Sequence, residues 1–175
     1  MKKLLGIVVL GLLLSGNVFA VEKFKFKYNL HENLPKKWVT EFKNIMNIVQ
    51  EVMPINENTN TWVKNDIISK RKSQGYGMDI YAWKSTKNPF PEKGIYMEGS
   101  SISSNNFSGT PWMQLDIYPQ DLADSRNKIR TYSVIVHEYF HVYQGALSQN
   151  KRSDRNTPKW LTEGGAKVLE EIYVR

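Results

Sequence analysis

Apolar residues recur at helical spacing near the start of the chain. Over residues 35–53 they fall three or four positions apart, which places them on one face of a helix. They are Trp38, Phe42, Ile45, Val49 and Val52. Pro54 follows and cannot continue the helix. The pattern therefore predicts a core helix that ends before Pro54.

The hydrophobic period changes to two in the middle of the chain. Residues 62–68, 77–83, 94–98 and 112–118 alternate, and Gly, Pro, Ser and Asn separate them, which predicts short strands. In the last strand we expect Met113, Leu115 and Ile117 to face the core, and Gln114, Asp116 and Tyr118 to face outward. Residues 99–111, rich in Ser, Asn and Gly, predict a mobile loop. Residues 23–28 alternate Lys with aromatic residues and predict either a first strand or a tail.

Two further helices are expected towards the end of the chain. Residues 132–143 are mostly apolar, and a second helix follows after Thr157, a suitable N-cap, and Pro158, a suitable first helical residue. The order predicts an α+β domain over residues 21–175. Its parts are an N-terminal helix, a mixed or antiparallel sheet and these two helices.

Candidate chemistry is concentrated in the first of these two helices. His137 and His141 are four residues apart, so they lie on one helix face and can reach one metal ion. Glu138 projects to the flank of that face, where a general base for a metal-activated water is needed. A purely structural helix is the alternative, but a buried glutamate between two histidines is costly without a cation.

A catalytic zinc ion takes three protein ligands and keeps one position open. The chain has no cysteine, and the third histidine, His31, is distant in sequence. We therefore expect a carboxylate as third ligand, with Glu163 the leading candidate. Gly164 and Gly165 follow it at a helix-interior cost of about 1 kcal/mol each relative to Ala, which close approach of the two helices explains. The alternative is a helix break with Glu163 on the surface.

This arrangement resembles the gluzincin metallopeptidases. The matching residues are the HExxH motif and, after some twenty residues, a W-L-x-E-G-x-A segment formed by Trp160, Leu161, Glu163, Gly164 and Ala166. The strict match covers residues 134–171. The resemblance implies a peptidase-MA-like domain with His137, His141 and Glu163 as Zn²⁺ ligands and Glu138 as base.

The chain also departs from the gluzincin pattern. Lys167 stands where thermolysin-type members carry an acidic residue that orients a zinc-binding histidine, and Glu170 is a candidate for that role or a surface residue. Gluzincins usually supply an oxyanion donor downstream of the third ligand. Tyr173 is the only downstream candidate in this sequence, and helix-end packing is the alternative role for it. Either an upstream tyrosine donates or a C-terminal subdomain is missing. Residues 96–99 weakly echo the G-x-M-E-N segment of aminopeptidases.

Residues 1–20 predict a signal peptide. Lys2 and Lys3 precede an apolar stretch at residues 4–14, and Ala20 ends a segment suited to signal peptidase. An uncleaved anchor is the alternative. A bacterial secreted, periplasmic or cell-envelope protein without a stable membrane anchor is expected. The net charge of +7, which loss of the two lysines lowers by two, is scattered and does not indicate nucleic-acid binding.

Together these features predict a secreted zinc metallopeptidase acting on peptides or proteins. The strand at residues 112–118 is expected to be the edge strand that pairs with substrate, with Gln114 and Asp116 supplying backbone contacts. Two alternatives stay open. One is a non-catalytic zinc-containing binding or adhesion module of the same fold, and the other is a hydrolase of cell-wall amides. The sequence does not decide cleavage specificity or oligomeric state.

Overall fold

The computed structural model describes residues 25–55, 78–84, 87–91, 101–104, 111–123, 125–147 and 159–174. Its strands are β1 (Phe26–Leu30), β2 (Met78–Lys84), β3 (Ser101–Ser104) and β4 (Pro111–Ile117). Its helices are α1 (Lys36–Val52), α2 (Pro119–Ala123), α3 (Ser125–Leu147) and α4 (Lys159–Val174). The expected signal peptide, the expected strands at 62–68 and 94–98, Thr157 and Pro158 lie outside the described residues.

The periodic segments were predicted well. Helix α1 has the expected bounds, and its buried face carries Trp38, Phe42, Ile45, Met46 and Val49. Val52 is exposed and does not belong to that face. Strands β2 and β4 correspond to the predicted strands at 77–83 and 112–118, with small shifts of their ends. The segment at 23–28, expected to be a strand or a tail, contains the start of β1.

The predicted α+β class with a mixed or antiparallel sheet is wrong for the body of the sheet. The three long strands run parallel, with β2 paired to β1 on one side and to β4 on the other. Helix α1 lies in the connection between β1 and β2, which fits the long crossover that parallel strands require. Six of the seven residues of β2 are buried, which is typical of a strand covered on both faces. Antiparallel pairing is confined to the short β3, which lies beside β4.

The expected substrate edge at residues 112–118 is also wrong. The order of the described sheet is β1-β2-β4-β3, so residues 112–114 of β4 are paired on both sides. Gln114 pairs with Tyr81 of β2 and with Ser101 of β3, and Asp116 pairs with Trp83. Their side chains, expected to face outward, are 0% and 7% exposed. The error arose because the Ser- and Asn-rich segment predicted as a loop contains β3.

Helices α1 and α3 share one core with the sheet. Met113, Leu115 and Ile117 face this core as predicted, together with Ile135 and Val142 of α3. The Tyr139 hydroxyl of α3 donates a hydrogen bond of 2.7 Å to the carbonyl of Met53, just after α1. Helix α3 is thus fixed on its inner side, and α4 packs on it with Ala166 fully buried. None of the described helices is long and apolar enough to cross a membrane.

Candidate metal centre

The two histidines of α3 meet at their Nε2 atoms. His137 Nε2 and His141 Nε2 are 3.1 Å apart, and the two rings are nearly perpendicular at 81°. Both side chains are partly buried. The i, i+4 spacing thus brings two ligand atoms to one point on the outer side of α3, as the sequence predicted.

Glu163 of α4 joins this pair. Its Oε2 lies 3.4 Å from His137 Nε2 and 3.5 Å from His141 Nε2. Among the described residues, these three form the group of histidine and acidic side chains that could hold a metal ion. The Glu163 side chain is 47% exposed, so the group is open to solvent on that side. An accessible three-ligand set suits a catalytic zinc site, whereas structural sites are closed by a fourth protein ligand.

Glu170 of α4 contacts the far side of His137. Its Oε2 lies 3.2 Å from His137 Nδ1, and its Oε1 accepts hydrogen bonds from Ser133 (3.2 Å) and Lys167 (2.9 Å). Burial acts to raise the pKa of Glu170, but hydrogen bonds and charge from Lys167, then Ser133 and His137, hold that pKa below its usual value. A carboxylate can only accept, so His137 Nδ1 donates and Nε2 keeps its lone pair when the ring is neutral.

Gln144 of α3 makes the corresponding contact to His141. Gln144 Oε1 lies 2.9 Å from His141 Nδ1, and its Nε2 donates to the Thr162 carbonyl of α4 at 3.2 Å. Neither Gln144 nor Ser133 was singled out from the sequence. The available signal was their position, because each lies within one helical turn of a histidine on the same face.

Glu138 lies beside this group in a buried environment. It is 5% exposed, and its Oε2 has no hydrogen-bond partner among the described residues. Burial, reinforced by the negative charges of Glu163 and Glu170, raises the pKa of Glu138 from 4.5 to about 8. A nearby divalent cation would reverse this effect, because it stabilises the ionised carboxylate. A cation beside Glu138 would offset the negative charges of Glu163 and Glu170. A water molecule there could donate a hydrogen bond to the Oε2 atom of Glu138, which lacks a partner among the described residues.

The distances within the group fit a tetrahedral zinc site. Ligand bonds of about 2.0–2.1 Å at tetrahedral angles place neighbouring ligand atoms about 3.3–3.4 Å apart. The three separations among His137, His141 and Glu163 are 3.1, 3.4 and 3.5 Å. Two imidazole nitrogens and one carboxylate also form a donor set that zinc accepts in catalytic sites. The residues present therefore fit a divalent cation such as zinc.

Close approach of the two helices depends on one of the two glycines. A Cβ atom on Gly165 would lie 2.7 Å from Phe140 Cε1 and 3.5 Å from Gln144 Nε2. A Cβ atom on Gly164 would meet nothing within 4 Å. The sequence-based explanation of the Gly pair is thus confirmed for Gly165 and wrong for Gly164.

The structure does not bring Tyr173 to the group. Ten residues of helix separate it from Glu163, which corresponds to about 15 Å along the axis. Its charged and titratable neighbours are Glu41 of α1 and Tyr132 of α3, at the other end of the helix pair. Tyr173 therefore lies too far along α4 to reach the group, and its assignment as oxyanion donor is wrong. Residues 96–99 lie outside the described part of the chain.

Alanine substitutions at the two glycines should have opposite effects. In Gly165→Ala the added methyl group collides with Phe140 and pushes α4 outward, so we expect a loss of about 1–3 kcal/mol of stability and weaker zinc binding. Gly164→Ala, the matched control, should gain up to about 1 kcal/mol from helix propensity and keep its zinc affinity. Urea unfolding and zinc titration measure both effects. Equal behaviour of the two variants would contradict the close-approach argument.

Glu138 should make the metal-free protein less stable as the pH rises. Because its pKa is higher in the folded than in the unfolded chain, the folded state holds the proton more tightly. The stability that the protonated Glu138 contributes to the folded state is fully present below about pH 4.5, and it is lost as the pH rises to about 8. Glu138→Gln removes it, so the stability of the variant relative to wild type should increase between pH 5 and pH 8. Urea unfolding with a chelator tests this, and a difference independent of pH would refute it.

Comparison of the chain with protein-family models, with curated proteins and with solved structures gave no match. The resemblance to gluzincins therefore depends on the motif residues alone. What the chain does must be argued from the geometry of His137, Glu138, His141 and Glu163.

Proposed function

We propose that this chain is a zinc-dependent peptidase of the gluzincin type. One observation carries the proposal. Nε2 of His137, Nε2 of His141 and Oε2 of Glu163 converge at separations of 3.1–3.5 Å from two different helices, beside a buried Glu138 oxygen that has no partner among the described residues. Electron-pair donors at such separations repel one another unless a proton or a cation lies between them.

The placement of Glu138 favours catalysis over simple metal storage. A binding site needs the three ligands, but it gains nothing from an additional carboxylate that is buried and incompletely hydrogen-bonded. A general base for water attack does need such a carboxylate, with a pKa near the working pH. Glu138 is such a carboxylate, and a bound cation would lower its pKa from the value of about 8 in the metal-free protein, which favours the ionised form that accepts a proton.

Each residue has a distinct part in the proposed reaction. His137, His141 and Glu163 would hold the zinc ion. When bound, zinc supplies Lewis acidity that polarises the substrate carbonyl and makes a water molecule more acidic. Glu138 accepts the proton of the attacking water and returns it to the leaving amine. Glu170 keeps the Nδ1 atom of His137 in the donor state, so that Nε2 faces the ligand group.

The substrate is proposed to be a peptide or protein in extended conformation. The half-exposed side of Glu163 gives access to the ligand group. With β4 internal, β3 is the outermost strand on that side of the described sheet, and α3 packs near it. An extended peptide can pair with such an edge through its backbone. We propose export from the cell on the N-terminal sequence pattern alone.

Glu163→Ala tests the ligand assignment. Wild-type protein stripped with a chelator should rebind about one zinc ion per chain, and the variant should bind at least about 100-fold more weakly, beyond the loss usual for an outer-shell partner. Glu171→Ala is the matched control, because Glu171 is a more exposed glutamate of the same helix. Competition with a chromophoric chelator measures all three affinities. Full zinc binding by Glu163→Ala would refute the assignment.

Glu138→Gln tests the proposed hydrolysis. It should keep wild-type zinc stoichiometry and lose about 10²–10⁴-fold in turnover, because the amide cannot accept the proton. Mass spectrometry of a peptide-library digest measures this. Zinc-loaded wild-type protein that cleaves no peptide would contradict the peptidase proposal and favour a binding module. Cleavage of peptidoglycan fragments alone would identify a cell-wall amide hydrolase.

A further inference from the structure

Gln144 is the residue of α3 that touches both a ligand histidine and the helix that carries Glu163. Its side-chain oxygen faces His141 Nδ1 at 2.9 Å, and its side-chain nitrogen faces the Thr162 carbonyl at 3.2 Å. Thr162 immediately precedes Glu163 in the chain. A single carboxamide thus spans the gap between the two helices next to the ligand group.

The partners of Gln144 fix its orientation. The Thr162 carbonyl can only accept a hydrogen bond, so the NH₂ group of Gln144 must face it. The amide oxygen then faces His141 and can only accept, so Nδ1 of a neutral His141 must carry the proton. Nε2 is consequently left with a lone pair, and this is the atom that faces His137 and Glu163.

The same contact restricts the position of α4. The hydrogen bond to the Thr162 carbonyl holds the backbone one residue before Glu163. Glu170 provides orientation for His137 but through its own side chain on α4. The two histidines are therefore oriented by different residues, His137 by Glu170 and His141 by Gln144. Of these two residues, Gln144 also bonds to the backbone of the neighbouring helix, at Thr162 of α4.

We propose that Gln144 is a positioning residue that fixes the tautomer of His141 and keeps Glu163 within reach of the two imidazoles. The inference rests on the proposed zinc site and adds a residue that couples its two helices. It predicts two separate properties. The metal-free protein should already contain the Nδ1–H tautomer of His141, and the loss of the amide should weaken zinc binding.

The experiment combines nitrogen-15 NMR of the histidine rings with zinc titration. In metal-free wild type at alkaline pH, His141 should be the Nδ1–H tautomer. Gln144→Met keeps the length of the side chain and removes both hydrogen bonds, so it should lose that tautomer and bind zinc about 10–100-fold more weakly. Gln144→Glu keeps an acceptor and should retain the tautomer.

Gln50→Met is the matched control. Gln50 of α1 is also half-buried, and its amide donates to Met46 and Tyr28 away from the ligand group. It should change neither the tautomer of His141 nor zinc affinity. An Nε2–H tautomer in metal-free wild type would overturn the inference without any variant. Unchanged affinity and tautomer in Gln144→Met would overturn it while leaving the zinc site intact. Failure of wild type to bind zinc would overturn the proposed function instead.

Discussion

The candidate site depends on how closely α4 packs against α3. Gly165 lies against the ring of Phe140, and no side chain larger than hydrogen fits there without displacement. At that separation the Glu163 carboxylate reaches the Nε2 atoms of both histidines. At a larger separation the ligand group would consist of two histidines on one helix, which is too few for a catalytic zinc ion.

The polar contacts around the site are made possible by an apolar anchor on the opposite side of α3. Ile135 and Val142 are buried against the sheet, and the Tyr139 hydroxyl bonds to the end of α1. With its inner face fixed, the helix holds His137 and His141 at a defined angle. Burial of Glu138 opposes folding above its ordinary pKa, because the site keeps a carboxyl group where water is largely excluded. Burial thus favours the neutral form of Glu138, whereas the proposed reaction needs its ionised form.

Sequence reasoning succeeded where a short-range rule determines position. The i, i+4 spacing places His137 and His141 on one face, and the Gly pair after Glu163 indicates helix contact. It failed where long-range pairing decides. Alternation in residues 112–118 gives the face of each side chain relative to its neighbours. It does not give the direction or number of neighbouring strands, so Gln114 was placed at an edge although it lies between β2 and β3. Gln144 and Tyr173 likewise depend on the offset between α3 and α4, which no local pattern encodes.

X-ray absorption at the zinc edge of the zinc-loaded protein tests the central claim most directly. The account predicts a four-coordinate shell with two imidazole nitrogens and oxygen ligands at about 2.0–2.2 Å. The outer-ring scattering of two imidazoles identifies His137 and His141, and half of it should disappear in His141→Ala. A six-coordinate shell of oxygen alone, or a spectrum that does not change in His141→Ala, would contradict the assignment of the site.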